Sequence, residues 1–143
     1  MAELARPEYA GDYEGTVHVE YTPHPDDGVA DPGEVVWTWV PFEEDFNRGK
    51  DRPVLVVGSD GPLLLALILT SQDHDRDAAD EARWGRVWLD IGSGAWDTDG
   101  RRSEVRLDRV LRIDPRAVRR EGAAIGEKVF NLVAENLHQL HRS

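Results

Sequence analysis

The sequence predicts a mainly β chain that ends in one amphipathic helix, a small barrel closed at one end by that helix. Two patterns carry this reading. Five or six short apolar or β-branched runs, each bounded by turn-forming or charged residues, precede residue 114. Beyond it Ile125, Val129, Leu132, Val133, Leu137 and Leu140 recur at helical spacing and mark a single apolar stripe. A length of 143 residues allows one domain with a real core, and not two.

The elements follow in order. Residues 1–32 are rich in Pro, Gly and Asp and are expected to form an irregular acidic arm, with one strand over Thr16–Tyr21. Pro23–Gly28 is turn chemistry, and the first dozen residues are expected to be loosely held. The barrel domain then takes residues 33–143. Val35–Val40 is β-branched and aromatic, hence a strand. Pro41–Asp51 reads as a charged loop. Pro53–Val57 is a short strand whose leading proline is tolerated at a strand start. Asp60-Gly61 is a turn, and Leu63–Thr70 is a continuous apolar strand. Ser71–Gly85 is a charged surface excursion in which Ala78–Trp84 forms one or two helical turns. Arg86–Ile91 is a strand, Gly92–Arg102 a loop, and Ser103–Ile113 a further strand. Asp114-Pro115 places a capping residue before a proline suited to a first helical position, so one short turn is expected. The helix starts at Ile125.

Charge narrows the function classes. The net charge is −11, and residues 1–32 hold eight acids against Arg6 alone, which leaves −4 for the rest. An acidic chain binds nucleic acid weakly unless specific contacts do the work, because counterion release needs Lys and Arg. The run from Arg101 to Arg120, with eight arginines, is the one strongly basic stretch. There is no cysteine, which excludes disulfides and thiolate metal sites. No apolar run is long enough to span a bilayer, and the N-terminus lacks the pattern of a signal peptide, so a cytoplasmic protein is expected.

Several residues invite chemistry. Arg52 precedes Pro53 and so stands extended at the mouth of a buried strand, although it could equally pair with Asp51 or Glu44. Arg106 and Asp108 at strand spacing i, i+2 would share one face, as an acid–base pair or an ordinary ion pair. Trp37 and Trp39 also share a face, where core or interface packing is the commoner use of such a pair and base stacking the rarer. Asp73-His74-Asp75-Arg76-Asp77 has metal-binding residue types but reads as a solvated face. No metal or cofactor is expected.

Taken together, Gly33-Glu34, Arg52-Pro53-Val54, Thr70-Ser71 with Gln72, Arg112-Ile113-Asp114 and the helix from Ile125 resemble the MazF/PemK/Kid family of bacterial toxin endoribonucleases. The resemblance runs from Gly33 to about Leu140. It implies an SH3-like barrel with a helical cap, usually a homodimer with a cognate antitoxin. The implied activity is metal-independent, sequence-specific cleavage of single-stranded RNA by attack of a ribose 2′-OH on the adjacent phosphorus. By the same resemblance Arg52 would stabilise the phosphorane, Thr70 would hold the scissile phosphate, Asp108 would be the general base, and Arg106 the acid or charge donor. Glu34, Arg48, Lys50, Ser71 and Gln72 would line the RNA path. One segment departs from the family pattern: Phe46-Asn47-Arg48-Gly49-Lys50-Asp51 lacks the His/Ser-Glu-Gln set usual before the Arg-Pro pair. That departure keeps two rivals open, a degenerate barrel that binds a peptide or nucleic acid without cutting it and a gyrase-poisoning toxin.

Overall fold

A computed structural model describes residues 9, 11–23, 30–71, 87–94 and 100–141. Seven strands make up the sheet: β1 (Glu34–Phe42), β2 (Asp45–Asp60), β3 (Leu63–Ser71), β4 (Trp88–Gly92), β5 (Ser103–Arg106), β6 (Leu111–Ile113) and β7 (Val118–Ala124). One helix follows, α1 (Glu127–His141). The sheet is antiparallel in the order β4-β5-β3-β2-β1-β7, with β6 also paired to β3. It curls into a half-barrel with a single C-terminal helix, the mainly β architecture that the sequence predicts.

Alternation along the central strands divides the core between the two faces of the sheet. On one face Val35, Leu55, Leu65, Leu67 and Val105 pack with Phe130, Val133 and Leu137 of α1. On the other, Val36, Val40, Val54, Val56, Ala66, Ile68, Leu111 and Ile113 form a second cluster. The arm enters the first cluster, since Val17 is 2% exposed and Tyr13, Val19 and Tyr21 pack beside it. Arm backbone is tied to the barrel by Glu20 N–H to Val57 O and by Tyr13 N–H to Val110 O. Tyr21 also donates its hydroxyl to Ile125 O at 2.6 Å. Gly33, at φ +100°, lies so close to the Tyr21 ring that a Cβ would stand 2.8 Å from it. Glycine there lets the arm cross the start of β1.

Five local expectations change. Thr16–Tyr21 packs as extended chain without a strand ladder, apart from the Tyr13–Val110 bridge just before it. The charged stretch 41–51 is not a loop: β1 and β2 continue as a hairpin turned at Glu43-Glu44. Its side chains alternate with few apolar groups, so periodicity could not reveal it. Ser103–Ile113 is two strands along the same edge of β3. From Leu69↔Val105 to Ala66↔Leu111, β3 advances three residues while its partner advances six. The three surplus residues form a break that carries Asp108 and Arg109. Strand β7 was not expected, because Val118–Ala124 has no alternating apolar pattern and is held by its ladder to β1. The helix begins at Glu127, with Ile125 buried ahead of it and donating its N–H to Gly33 O. The turn after Asp114 is present as a short 3-10 segment, Pro115–Ala117, capped by the Asp114 side chain. The proposed turns at 78–84 lie outside the described residues.

Candidate active site

Pairing registers collect the expected residues on one face. Thr38 stands opposite Arg52, and Thr70 opposite Glu104, which is itself opposite Asp90. Carrying the Val54↔Ile68 register of β2 and β3 two residues further sets Arg52 across from Thr70. Both are half-buried and lie on the face of the second cluster, next along their strands from Val54 and Ile68. Arg106, two residues on from Glu104, shares this face. Diagonal neighbours of this kind stand about 7–8 Å apart across a ladder, so Thr70 and Arg106 fall within the span of one nucleotide.

Arg106 is the centre of this cluster. Its side chain is 7% exposed, and its Nε and Nη2 grip Asp108 at 3.0 Å to Oδ1 and 2.8 Å to Oδ2. Nη2 also donates to Glu43 Oε1 at 3.0 Å, from the β1–β2 turn. Burial alone would lower the guanidinium pKa, but the two carboxylates outweigh it and hold Arg106 above its ordinary value. It therefore carries a fixed positive charge. Burial pushes the Asp108 carboxyl up, yet the Arg106 bonds and the Val87 N–H, 2.7 Å from Oδ1, bring it below the usual carboxylate range. A carboxylate so stabilised is a weak base. The break between β5 and β6 creates this arrangement. On a continuous strand Asp108 would stand beside Arg106, whereas in the bend it folds back onto the fork.

The arm forms the adjoining wall. Arg109, whose side chain is 4% exposed, donates Nε to Asp12 Oδ2 at 2.9 Å and lies over the Phe46 ring. Its Nη2 is buried and has no acceptor among the described residues. Tyr9 donates its hydroxyl to Asp12 Oδ1, and burial first, then Asp12, pushes the Tyr9 pKa well above its ordinary value. Between arm and barrel lies a cleft of about 370 Å³ lined by Asp12, Tyr13, Thr16, Glu43, Asp108 and Arg109, among others. The basic run is largely neutralised by partners. Arg102 pairs with Asp90, Arg112 with Asp60, Arg116 with Asp114, and Arg119 with Asp51. Asp51 thus binds Arg119 through both oxygens.

The remaining expected contacts fare unevenly. Glu34 is 2% exposed and accepts the Asp31 N–H at 3.1 Å, so it braces the turn into β1 and is out of a ligand's reach. Arg48 is exposed, with its guanidinium 5.9 Å from the Phe42 ring centre, and Lys50 is exposed on β2. The backbone of Ser71 pairs with Ser103, and Gln72 lies outside the described residues, as does the His74 stretch. Among the described residues no three His, Asp or Glu side chains converge as a metal ion requires. The sequence reading missed Glu43 and the Asp12–Arg109 pair. Glu43 meets Arg106 across 63 positions, and Asp12 meets Arg109 across 97, separations that no local pattern encodes.

Comparison with known proteins gives the family. A family model described as PemK-like, MazF-like toxin of type II toxin-antitoxin system matches residues 31–141. No curated protein matches the chain. The matched span takes in the whole sheet and α1, with every residue of the Arg52, Thr70 and Arg106 face, and leaves most of the arm outside. The chain belongs to the PemK-like, MazF-like family of type II toxin–antitoxin toxins.

Proposed function

We propose that this protein is a metal-independent endoribonuclease that cuts single-stranded RNA at a short recognition sequence. The observation that carries the reading is the gathering of Arg52, Thr70 and the buried Arg106 on one face of a sheet of this family. The ribose 2′-OH attacks the adjacent phosphorus, the P–O5′ bond breaks, and the products carry a 2′,3′-cyclic phosphate and a 5′-OH. Arg52 offers a planar fork to two phosphate oxygens, and its bonds strengthen as charge builds in the phosphorane. The Thr70 hydroxyl holds the same phosphate. Arg106 adds a second positive charge that is fixed before substrate arrives. Asp108 keeps that fork aimed, and its low basicity suits this role better than proton abstraction.

The reading extends to partners. A cognate antitoxin would cover this face, and Arg48 and Lys50 would meet the RNA backbone. The test is incubation of the purified protein with a mixed RNA pool in EDTA, followed by mapping of new ends. Fragments with 5′-OH and 2′,3′-cyclic phosphate ends at a common short sequence are expected. Cleavage only when magnesium or manganese is added would overturn the mechanism. Binding without cleavage would favour a barrel that has kept the groove and lost the chemistry. The departure at 46–51 supports that alternative.

A further inference from the structure

We infer that Trp88, on β4, is a stacking platform for an unpaired base next to the scissile phosphate. The inference rests on the RNA-cleavage reading above and names what holds the substrate's bases. Alternation along β4 divides its side chains between the two faces of the sheet. Leu89 and Ile91 pack in the first cluster with α1, whereas Trp88 packs beside the second. Trp88 stands directly opposite Arg106 in the β4–β5 ladder. It therefore lies on the face of Arg52, Thr70 and Arg106, and it is half-buried, so part of its ring is open. Trp37 and Trp39 also have rings suited to stacking. Alternation along β1 puts them with Val35, on the opposite side of the sheet.

Position and charge support the assignment. Arg52, Thr70, Arg106 and Trp88 occupy four successive strands of the sheet, β2, β3, β5 and β4. At about 4.8 Å per strand the set spans roughly 14 Å, so an RNA strand laid across the sheet meets the phosphate-binding residues and then the indole. Beyond Arg106 the neighbours of Trp88 on this face are Asp90 and Glu104, and Arg102 pairs with Asp90 at 2.6 Å. Carboxylates there disfavour a second phosphate and leave a neutral base as the fitting occupant. Stacking of a base on an aromatic ring is sequence-tolerant, because every base has a π-face. A base lies flat on such a ring only when it is unpaired, so Trp88 selects single strands and not a sequence.

The test uses the full chain and an RNA that it cleaves, synthesised with 2′-deoxyribose at the cut site so that binding is read alone. Trp88→Leu keeps apolar bulk against the second cluster and removes the π-face. It should weaken binding about 5–20-fold, and Trp88→Phe should stay within about threefold of wild type. An abasic nucleotide is then placed at each position in turn. At one position beside the cut, loss of the base should weaken wild type by a similar factor and leave Trp88→Leu within about twofold of its value for intact RNA. Equal loss with intact RNA and with every abasic RNA would show that Trp88 acts through the fold, and would overturn the assignment. So would an unchanged affinity of Trp88→Leu, or coupling to a base remote from the cut. Melting and sedimentation of each variant complete the test, since a loss that follows unfolding or a change of oligomeric mass overturns it too. These failures leave the RNA-cleavage reading standing. Wild type that binds RNA without cutting it overturns the cleavage mechanism, while the abasic scan still reads the stack. Wild type that binds no RNA ends both.

Discussion

At the scale of single residues, two arginines on one face do different work. Arg52 is half-buried at the start of the apolar part of β2, and its removal should cost rate more than stability. Arg52→Ala is expected to lower kcat/KM by about two to three decades. Melting should shift by only a few degrees, and Arg52→Lys should recover part of the rate, because an ammonium lacks the fork. An unfolded Arg52→Ala with unchanged cleavage per folded molecule would instead make Arg52 a structural partner. Arg106 and Asp108 also bear on folding. A broken buried pair costs about 3–5 kcal/mol, and partial exposure of Asp108 reduces the figure to about 2 for Asp108→Asn. The folded Asp108 pKa lies below the unfolded value, so this stability is complete above about pH 4 and is lost as pH falls through the folded pKa. Denaturant titrations of wild type and Asp108→Asn should therefore differ at pH 7 and converge once the pH has fallen below the folded Asp108 pKa. A gap that does not change with pH would show that the contact acts through packing and not through charge.

At the scale of elements, the β1–β2 hairpin decides where Glu43 sits. Gly49 lies opposite Pro41 near its tip, and a Cβ there would meet Val40 O at 2.2 Å and Pro41 Cα at 2.8 Å. Neither backbone atom can retreat without opening the ladder. Gly49→Ala should therefore destabilise by about 1–3 kcal/mol and reduce cleavage by moving the turn whose Glu43 holds the Arg106 guanidinium. A thermal melt and a cleavage assay on the same preparation check both parts. The helix is a different kind of element. Phe130, Val133 and Leu137 lie at 0–2% exposure against the sheet, so α1 is held by packing and not by propensity. Phe130→Ala should cost about 3–5 kcal/mol, read from a denaturant midpoint. An effect under about 1 kcal/mol would mean that the helix does not close the core. Leu132 and Leu140 occupy the outer side of α1, at 43% and 41% exposure, which periodicity could not separate from the buried positions.

At the scale of the molecule, the arm and the sheet edges matter most. The arm adds Val17 to the core and Asp12 to the Arg109 pair, so it supports the barrel as well as carrying much of the acidity. Charge reversal by Asp12→Lys should strengthen RNA binding at low salt and weaken the arm's hold, and the gain should fade as ionic strength rises. Unchanged RNA affinity at low salt would place the arm's charge away from the RNA path. Strands β4 and β7 end the sheet, and an uncovered edge favours pairing with a second copy. We expect a homodimer, so sedimentation at tens of micromolar should give about twice the chain mass of 16.1 kDa. A mass of one chain would count against it. Among the described residues no helix is long and apolar enough to cross a membrane.

Local chemistry along the chain was enough for the mainly β class, the central strands, the Asp114-Pro115 turn, the C-terminal helix and the family. Each of these depends on neighbours in sequence. Alternation or a 3.6 period fixes which side chains face the core, and proline and glycine mark where elements stop. Arg52, Thr70, Arg106 and Asp108 were singled out through the family resemblance, and their place at the ends of such runs puts Arg52, Thr70 and Arg106 on one face. Tertiary structure alone decided what those residues touch. It ended β5 early so that Asp108 folds back onto Arg106, brought Glu43 to the same guanidinium, buried Glu34, and laid the arm against Arg109. Strand β7 belongs here too, since backbone pairing to β1 holds it and its side chains carry no pattern. The division follows from the range of the forces. Hydrophobic periodicity and turn preference act over a few residues, whereas an ion pair between positions 43 and 106 forms only after the sheet has curled and brought the β1–β2 turn to β5.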